Sequence, residues 1–175
     1  MNLEKSPVSL LKEAIKSVIE GDSLFQMMLG EKQGAIDLER FTDFSEQDIP
    51  VFTISVPNES IRPLSQYDDE RSELTLVVQA LLPRKVETRA GETLRVTAED
   101  LAYYLRRRLL SMPAVRVPEG RFQLLSSSRV MTSRVTVGKI AAINIICEMK
   151  TVFDENILRD FAGVDFTKIE VEFEQ

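Results

Sequence analysis

Apolar residues recur at helical spacing near the start of the chain. Val8, Leu11, Ile15, Val18 and Ile19 form one stripe, bounded by Ser6 as an N-cap, Pro7 at the first helical position and Gly21 as a stop. A short apolar cluster follows, Leu24, Phe25, Met27, Met28 and Leu29, readable as a helical turn or as a loop plugged into the core. Residues 30 to 48 show no period, and Phe41 and Phe44 are candidate anchors beneath a loop. Period-two alternation then begins. Phe52, Ile54 and Val56 face one way after Pro50, and Leu74, Leu76, Val78, Ala80 and Leu82 do the same before Pro83. Between them, Pro57 to Arg71 reads as a long polar loop joining two antiparallel strands.

Residues 84 to 96 are charged and read as loop. Thr97 caps a second helix, with Glu99 and Asp100 in its first turn and Arg106, Arg107 and Arg108 near its end, where each sign suits the helix dipole. Leu101, Tyr104, Leu105, Leu109 and Met112 form its stripe, and Pro113 closes it. Two further strands are expected at 122–125 and 129–137, and a long one over 140–151, where Ala141, Ile143, Ile145, Cys147 and Met149 share a face. A short helix over 154–161 and an edge strand over 166–173 end the pattern, the latter alternating Ile169, Val171 and Phe173 with Lys168, Glu170 and Glu172. The expected class is α+β: two main helices packed on a mostly antiparallel sheet, with a C-terminal extra helix and edge strand.

Charge adds what periodicity does not. The chain has 175 residues and a net charge of −6. From Leu101 to Lys139 the only acid is Glu119, against Arg106, Arg107, Arg108, Arg116, Arg121, Arg129, Arg134 and Lys139. From Thr151 to Gln175 the sign reverses, with Asp154, Glu155, Asp160, Asp165, Glu170, Glu172 and Glu174 against Arg159 and Lys168. Opposite fields on separate segments suit head-to-tail contact between identical copies. The plainer alternative is a solvated surface with unevenly drawn charges.

Chemistry is constrained from the other side. With no histidine, the chain cannot assemble a Ser-His-Asp triad, a Cys-His pair or a histidine-bearing zinc site by itself. The single Cys147 excludes an internal disulfide and reads as a buried structural thiol. The paired acids Asp68 and Asp69, or Asp43 and Asp48, sit in loops without a phosphate-cradling or metal-binding signature, which makes a carboxylate enzyme the weakest reading. No enzyme activity and no cofactor are expected. No apolar run approaches the ~18 residues a membrane-spanning helix needs, so no membrane partner is expected. Met1 to Pro7 lacks a signal-peptide layout, and synthesis in a cytoplasm is expected.

A succession of short signals has a family likeness. Glu46-Gln47-Asp48 leads into Ile49-Pro50-Val51, and an acidic loop with Asp68-Asp69-Glu70 leads to a strand ending Leu81-Leu82-Pro83. A helix opens at Glu99-Asp100-Leu101-Ala102 and closes at Ser111-Met112-Pro113-Ala114, and a late strand ends Ile145-Ile146-Cys147-Glu148-Met149. Together with the Ser6–Glu20 helix, this layout resembles the tail terminator (minor tail) proteins of long-tailed bacteriophages, the lambda type. The resemblance implies a domain over 1–150 and leaves 151–175 as an acidic C-terminal extension packed on it. It also implies a non-enzymatic virion structural protein, made in the host cytoplasm and carried in the tail of a phage or prophage-encoded particle. Its implied partners are copies of itself in a hexameric ring, the tail-tube protein and the head-tail connector protein, with DNA only as passing cargo.

The residues expected to carry such contacts are Arg106, Arg107, Arg108 and Arg116 on the basic side. On the acidic side they are Asp68, Asp69 and Glu70 in the long loop and Glu170 and Glu172 in the terminal strand, which either closes the parent sheet or pairs across a subunit boundary. Two alternatives stand beside this one. One is a nucleic-acid-binding module using 101–139, where Tyr103, Tyr104 and Phe122 form no recognisable stacking motif. The other is a related neck or baseplate protein.

Overall fold

The computed structural model describes residues 5–30, 35–38, 44–63, 70–87, 93–117 and 120–155. Its elements are helices α1 (Pro7–Glu20), α2 (Ser23–Leu29) and α3 (Ala98–Leu110), and strands β1 (Ile36–Asp37), β2 (Val51–Pro63), β3 (Glu70–Pro83), β4 (Lys85–Glu87), β5 (Thr93–Arg95), β6 (Val115–Val117), β7 (Gly120–Val137) and β8 (Ile140–Glu155). Six strands form one sheet in the order β1-β2-β3-β8-β7-β6, and β4 and β5 form a separate hairpin. Within the large sheet only the β1–β2 pair is parallel.

This architecture corrects the expected class. The fold is mostly strand, a sheet curled into a half-barrel with three helices among the described residues, and not two main helices on a modest sheet. The physical reason lies in where alternation is visible. A strand alternates clearly only where a helix covers one face; beyond that the backbone ladder continues under polar side chains. The expected loop from Pro57 is therefore largely hairpin, since β2 runs to Pro63 and pairs with β3 down to the Pro63–Glu70 rung. Deleting Glu59 to Tyr67 would remove ladder rungs, not merely a surface insertion. Likewise 122–125 and 129–137 belong to one 18-residue strand. The apolar cluster at Leu24 is a helix, and part of 84–96 is the β4–β5 hairpin. Asp154 and Glu155, expected to open a helix, are the last residues of β8. The rest of that helix, the 166–173 strand and Phe41 lie outside the described residues.

The helix ends follow from local chemistry. Ser6 Oγ accepts a hydrogen bond from Ser9 N (3.2 Å), and Thr97 Oγ1 accepts one from Asp100 N (3.1 Å), each satisfying an amide that a helix start leaves orphaned. The stripes these caps orient are buried: Leu11, Ile15 and Ile19 on α1, and Leu101, Ala102, Leu105 and Leu109 on α3. They pack against one sheet face, made by Phe52 and Ile54 of β2, Leu74 to Leu82 in alternation on β3, and Ile143, Ile145, Cys147 and Met149 of β8. Each large side chain fully buried there contributes about 1.5–3 kcal/mol. Phe25 anchors α2, meeting Phe52 edge-on at 5.1 Å and Tyr104 at 5.5 Å between ring centroids.

The back of the sheet carries a smaller cluster. Ile49, Val51, Leu81 and Ala142 are buried there, with Phe44, Val135, Val137 and Ile140 packed around them. A 3-10 turn at Glu46–Asp48 brings this lead-in across to the β7–β8 turn, where the Glu46 side chain accepts a hydrogen bond from Lys139 N. Gly138 in that turn has φ 56°, and a Cβ built on it would overlap the Glu46 side chain. Gly138→Ala is therefore expected to cost about 1–3 kcal/mol, from the left-handed backbone and from displacement of Glu46, read as a lowered denaturation midpoint.

Cys147 lies in the main core, and its burial pushes the thiol pKa up to about 11. It should stay unreactive to a disulfide reagent in the native state and react only on unfolding, which a thiol titration with and without denaturant will show.

Candidate functional site

The fold distributes the basic stretch that sequence singles out over α3, β6, β7 and the β7–β8 turn, with most of it on α3 and β7, which lie against each other. On α3 the buried stripe turns consecutive arginines in different directions. Arg106 and Arg107 are exposed, and the Arg107 guanidinium sits over the Tyr103 ring at 6.0 Å from its centroid. The charge of Arg106 favours the ionised form of the Cys147 thiol, opposing the larger effect of burial.

Arg108 has a different role. Its Nε lies 2.7 Å from Asp22 Oδ2, an ion pair by distance whose N–H is angled away from the hydrogen-bonding direction. Asp22 is almost fully buried, at 4% exposure. Its Oδ1 accepts from Leu24 N (3.0 Å) and Phe25 N (3.2 Å), capping α2, while Oδ2 accepts from the Tyr104 hydroxyl (2.9 Å). One carboxylate thus ties the α1–α2 junction to α3. The hydrogen bond to Asp22 is also the first cause of a raised Tyr104 pKa, followed by burial and the carboxylate's charge. Arg108 is part of the scaffold, and sequence reasoning had no signal for this because Asp22 lies on a different helix junction.

Arg116 is exposed on β6, opposite Arg121 in the ladder. Glu70 opens β3 between Pro63 and Glu155. Asp68, Asp69, Glu170 and Glu172 lie outside the described residues, so the acids and arginines expected to share an interface are not brought together within the described chain.

Sequence reading passed over Val130 and weighed Tyr103 only as a possible nucleic-acid stacking residue. Tyr103 and Val130 are the large hydrophobic side chains left exposed among the described residues, at 60% and 38%. Tyr103 lies on α3 beneath Arg107, and Val130 lies on β7. Arg134 lies further along β7 on the same face as Val130, while Arg129, paired with Glu148, lies on the back of the sheet. An exposed aromatic stacked under arginine, beside an apolar residue and further cations, has the composition of a protein-contact patch.

Two other features are available for chemistry. A cavity of about 690 Å³ opens between the start of α3 and the β7–β8 hairpin, lined by Arg84, Val96, Thr97, Glu99, Arg134 and Ile143 among others. Its mixed charges and exposed lining form no convergent catalytic set. Among the described residues no group of three His, Cys, Asp or Glu side chains is placed to hold a metal ion, and no helix is long and apolar enough to cross a membrane.

Neither a family model nor a curated protein matches this chain. Among solved structures, it is similar to a chain from the virion of a native gene transfer agent particle, with a TM-score of 0.48 and 14% sequence identity over 82% of this chain and 94% of that one. At that level of likeness, role has to be argued from this chain's own surfaces.

Proposed function

We propose that this protein is a structural component of a phage-type particle, a tail-terminating subunit that forms a ring on the last layer of the tail tube, ends tube growth and offers a surface for head-tail joining. The observation that carries the reading is the set of exposed residues on the two packed elements α3 and β7, Tyr103, Arg106, Arg107, Val130 and Arg134, in a chain whose sequence is net basic over 101–139 and net acidic over 151–175. A ring is built from heterologous contacts, in which one patch of a copy meets a different patch of the next, and separated charge of opposite sign suits that arrangement. The sequence likeness to lambda-type tail terminators supports the same reading and suggests six copies.

The test is a tube-growth assay. Tail-tube protein polymerising alone should give tubes of unlimited length; adding this chain should give short, end-capped tubes with a ring visible at one end by electron microscopy. Unchanged tube length with no end density would overturn the reading. The nucleic-acid alternative predicts instead a DNA affinity that falls steeply with salt, since each phosphate contact releases a counterion. Filter binding across a salt series separates the two.

A further inference from the structure

Among the described residues the outer edge of β7 is open over most of its length. Among the described residues β6 pairs with it only at Gly120 to Phe122, and nothing pairs with Gln123 to Val137 on the side away from β8. An edge of this length, roughly 45 Å, presents a row of backbone donors and acceptors that can template another strand. Its two faces differ. Register with β8 places Val130, Thr132, Arg134 and Thr136 on the helix-bearing face, and all four are open to solvent. Met131, Ser133, Val135 and Val137 lie on the back, where Val135 and Val137 pack on the second apolar cluster.

Residues 166–173 carry the complementary pattern. Ile169, Val171 and Phe173 fall on one side of an extended chain, and Glu170 and Glu172 on the other. We infer that this terminal segment of one copy adds as a strand to the β7 edge of a second copy, its acids on the Arg134 face and its apolar residues along Met131, Val135 and Val137. Backbone pairing supplies affinity and the alternating faces supply register.

A second copy is the donor because of where the described part of β8 stops. Glu155 lies opposite Gly120, and at that end of the edge β6 already fills the first rungs. A segment returning onto its own β7 would have to pass β6 before reaching the open stretch, whereas a neighbour's segment reaches Val130 to Val137 from outside. The joint rests on the copy-to-copy contact proposed above, and not on tube capping.

Disulfide trapping tests it with full-length chains. Chains carrying Thr132→Cys or Thr136→Cys are mixed with chains carrying Glu170→Cys or Glu172→Cys under mild oxidation; buried Cys147 stays in place. At least one pairing should give a covalent heterodimer, because facing positions across a ladder lie within disulfide reach. Adding Arg134→Glu to the acceptor should slow its formation about tenfold, while Lys150→Glu on the opposite face should not. Absence of heterodimer in all four pairings would overturn the inference. So would a chain bearing both cysteines that closes on itself as a compact monomer at every dilution, which would assign the edge to its own tail. Trapped heterodimers with uncapped tubes would sink the tail-terminating reading alone, and capped tubes without trapping would sink the joint alone.

Discussion

Asp22→Ala should lower stability by about 3–5 kcal/mol, the largest loss expected from any single polar substitution described above. Three partners lose one carboxylate at once: the α2 amides it caps, the Tyr104 hydroxyl and the Arg108 guanidinium. The cap alone is worth about 1 kcal/mol. The Tyr104 hydroxyl is left without its partner in a partly buried site, and Arg108, still partly exposed, recovers some hydration, which holds the total to the lower half of that range. Asp22→Asn keeps an acceptor for the cap and should cost distinctly less. Thermal denaturation of the two variants gives the comparison, at about 2–4 °C per kcal/mol for a chain of this size.

The same site makes stability depend on alkaline pH. Tyr104 has a folded-state pKa raised above the ordinary 10.0. A raised value means the neutral phenol is favoured by folding. Its contribution is complete below pH 10 and is lost as pH rises through the folded-state value, when a phenolate would face Asp22. Tyr104→Phe should remove this component from the absorbance titration and flatten the loss of stability above pH 10.

Arg106→Glu combined with Arg107→Glu should leave the monomer folded and weaken association between copies at least tenfold, measured by light scattering across concentration. Both side chains are exposed, so the internal cost is small: the Arg107–Tyr103 contact, about 0.5–1 kcal/mol, and a less favourable charge at the end of α3. The third arginine of the run behaves otherwise. Arg108→Glu would set a second carboxylate against Asp22, and it should lower the denaturation midpoint whether or not copies associate. A double variant with intact fold and unchanged association would remove the α3 arginines from the interface.

How much of this was legible in the sequence depends on the range of the interaction involved. Caps and stripes are local, so Ser6-Pro7, Thr97 and the leucines of α3 marked two helices with their boundaries. Strand extent is not local. Nothing in Asn58 to Pro63 or in Ser126 to Ser128 alternates as a covered strand does, yet the β3 and β8 ladders carry the chain through both stretches, with register shifts near Ser55 and Ser127. Strand extent is therefore less legible in the sequence than helix extent. The candidate surface was half visible for a related reason. Clustered arginines showed in the sequence, but only the fold distinguishes Arg108, tied to Asp22, from Arg107 on Tyr103, and only sheet order reveals that among the described residues β7 has an open edge.

The strand order has a consequence for biosynthesis. β3 lies between β2 and β8, and its second neighbour is encoded far downstream, as in the Gln79–Asn144 contact, 65 positions apart. While the ribosome is still translating the middle of the chain, the β2–β3 hairpin exists with one flank uncovered and its apolar face lacking the α3 helix. Nascent chains arrested before Ile140 should therefore be the most prone to aggregate and the most dependent on holding chaperones, with release of that dependence as Ile140–Glu155 emerges.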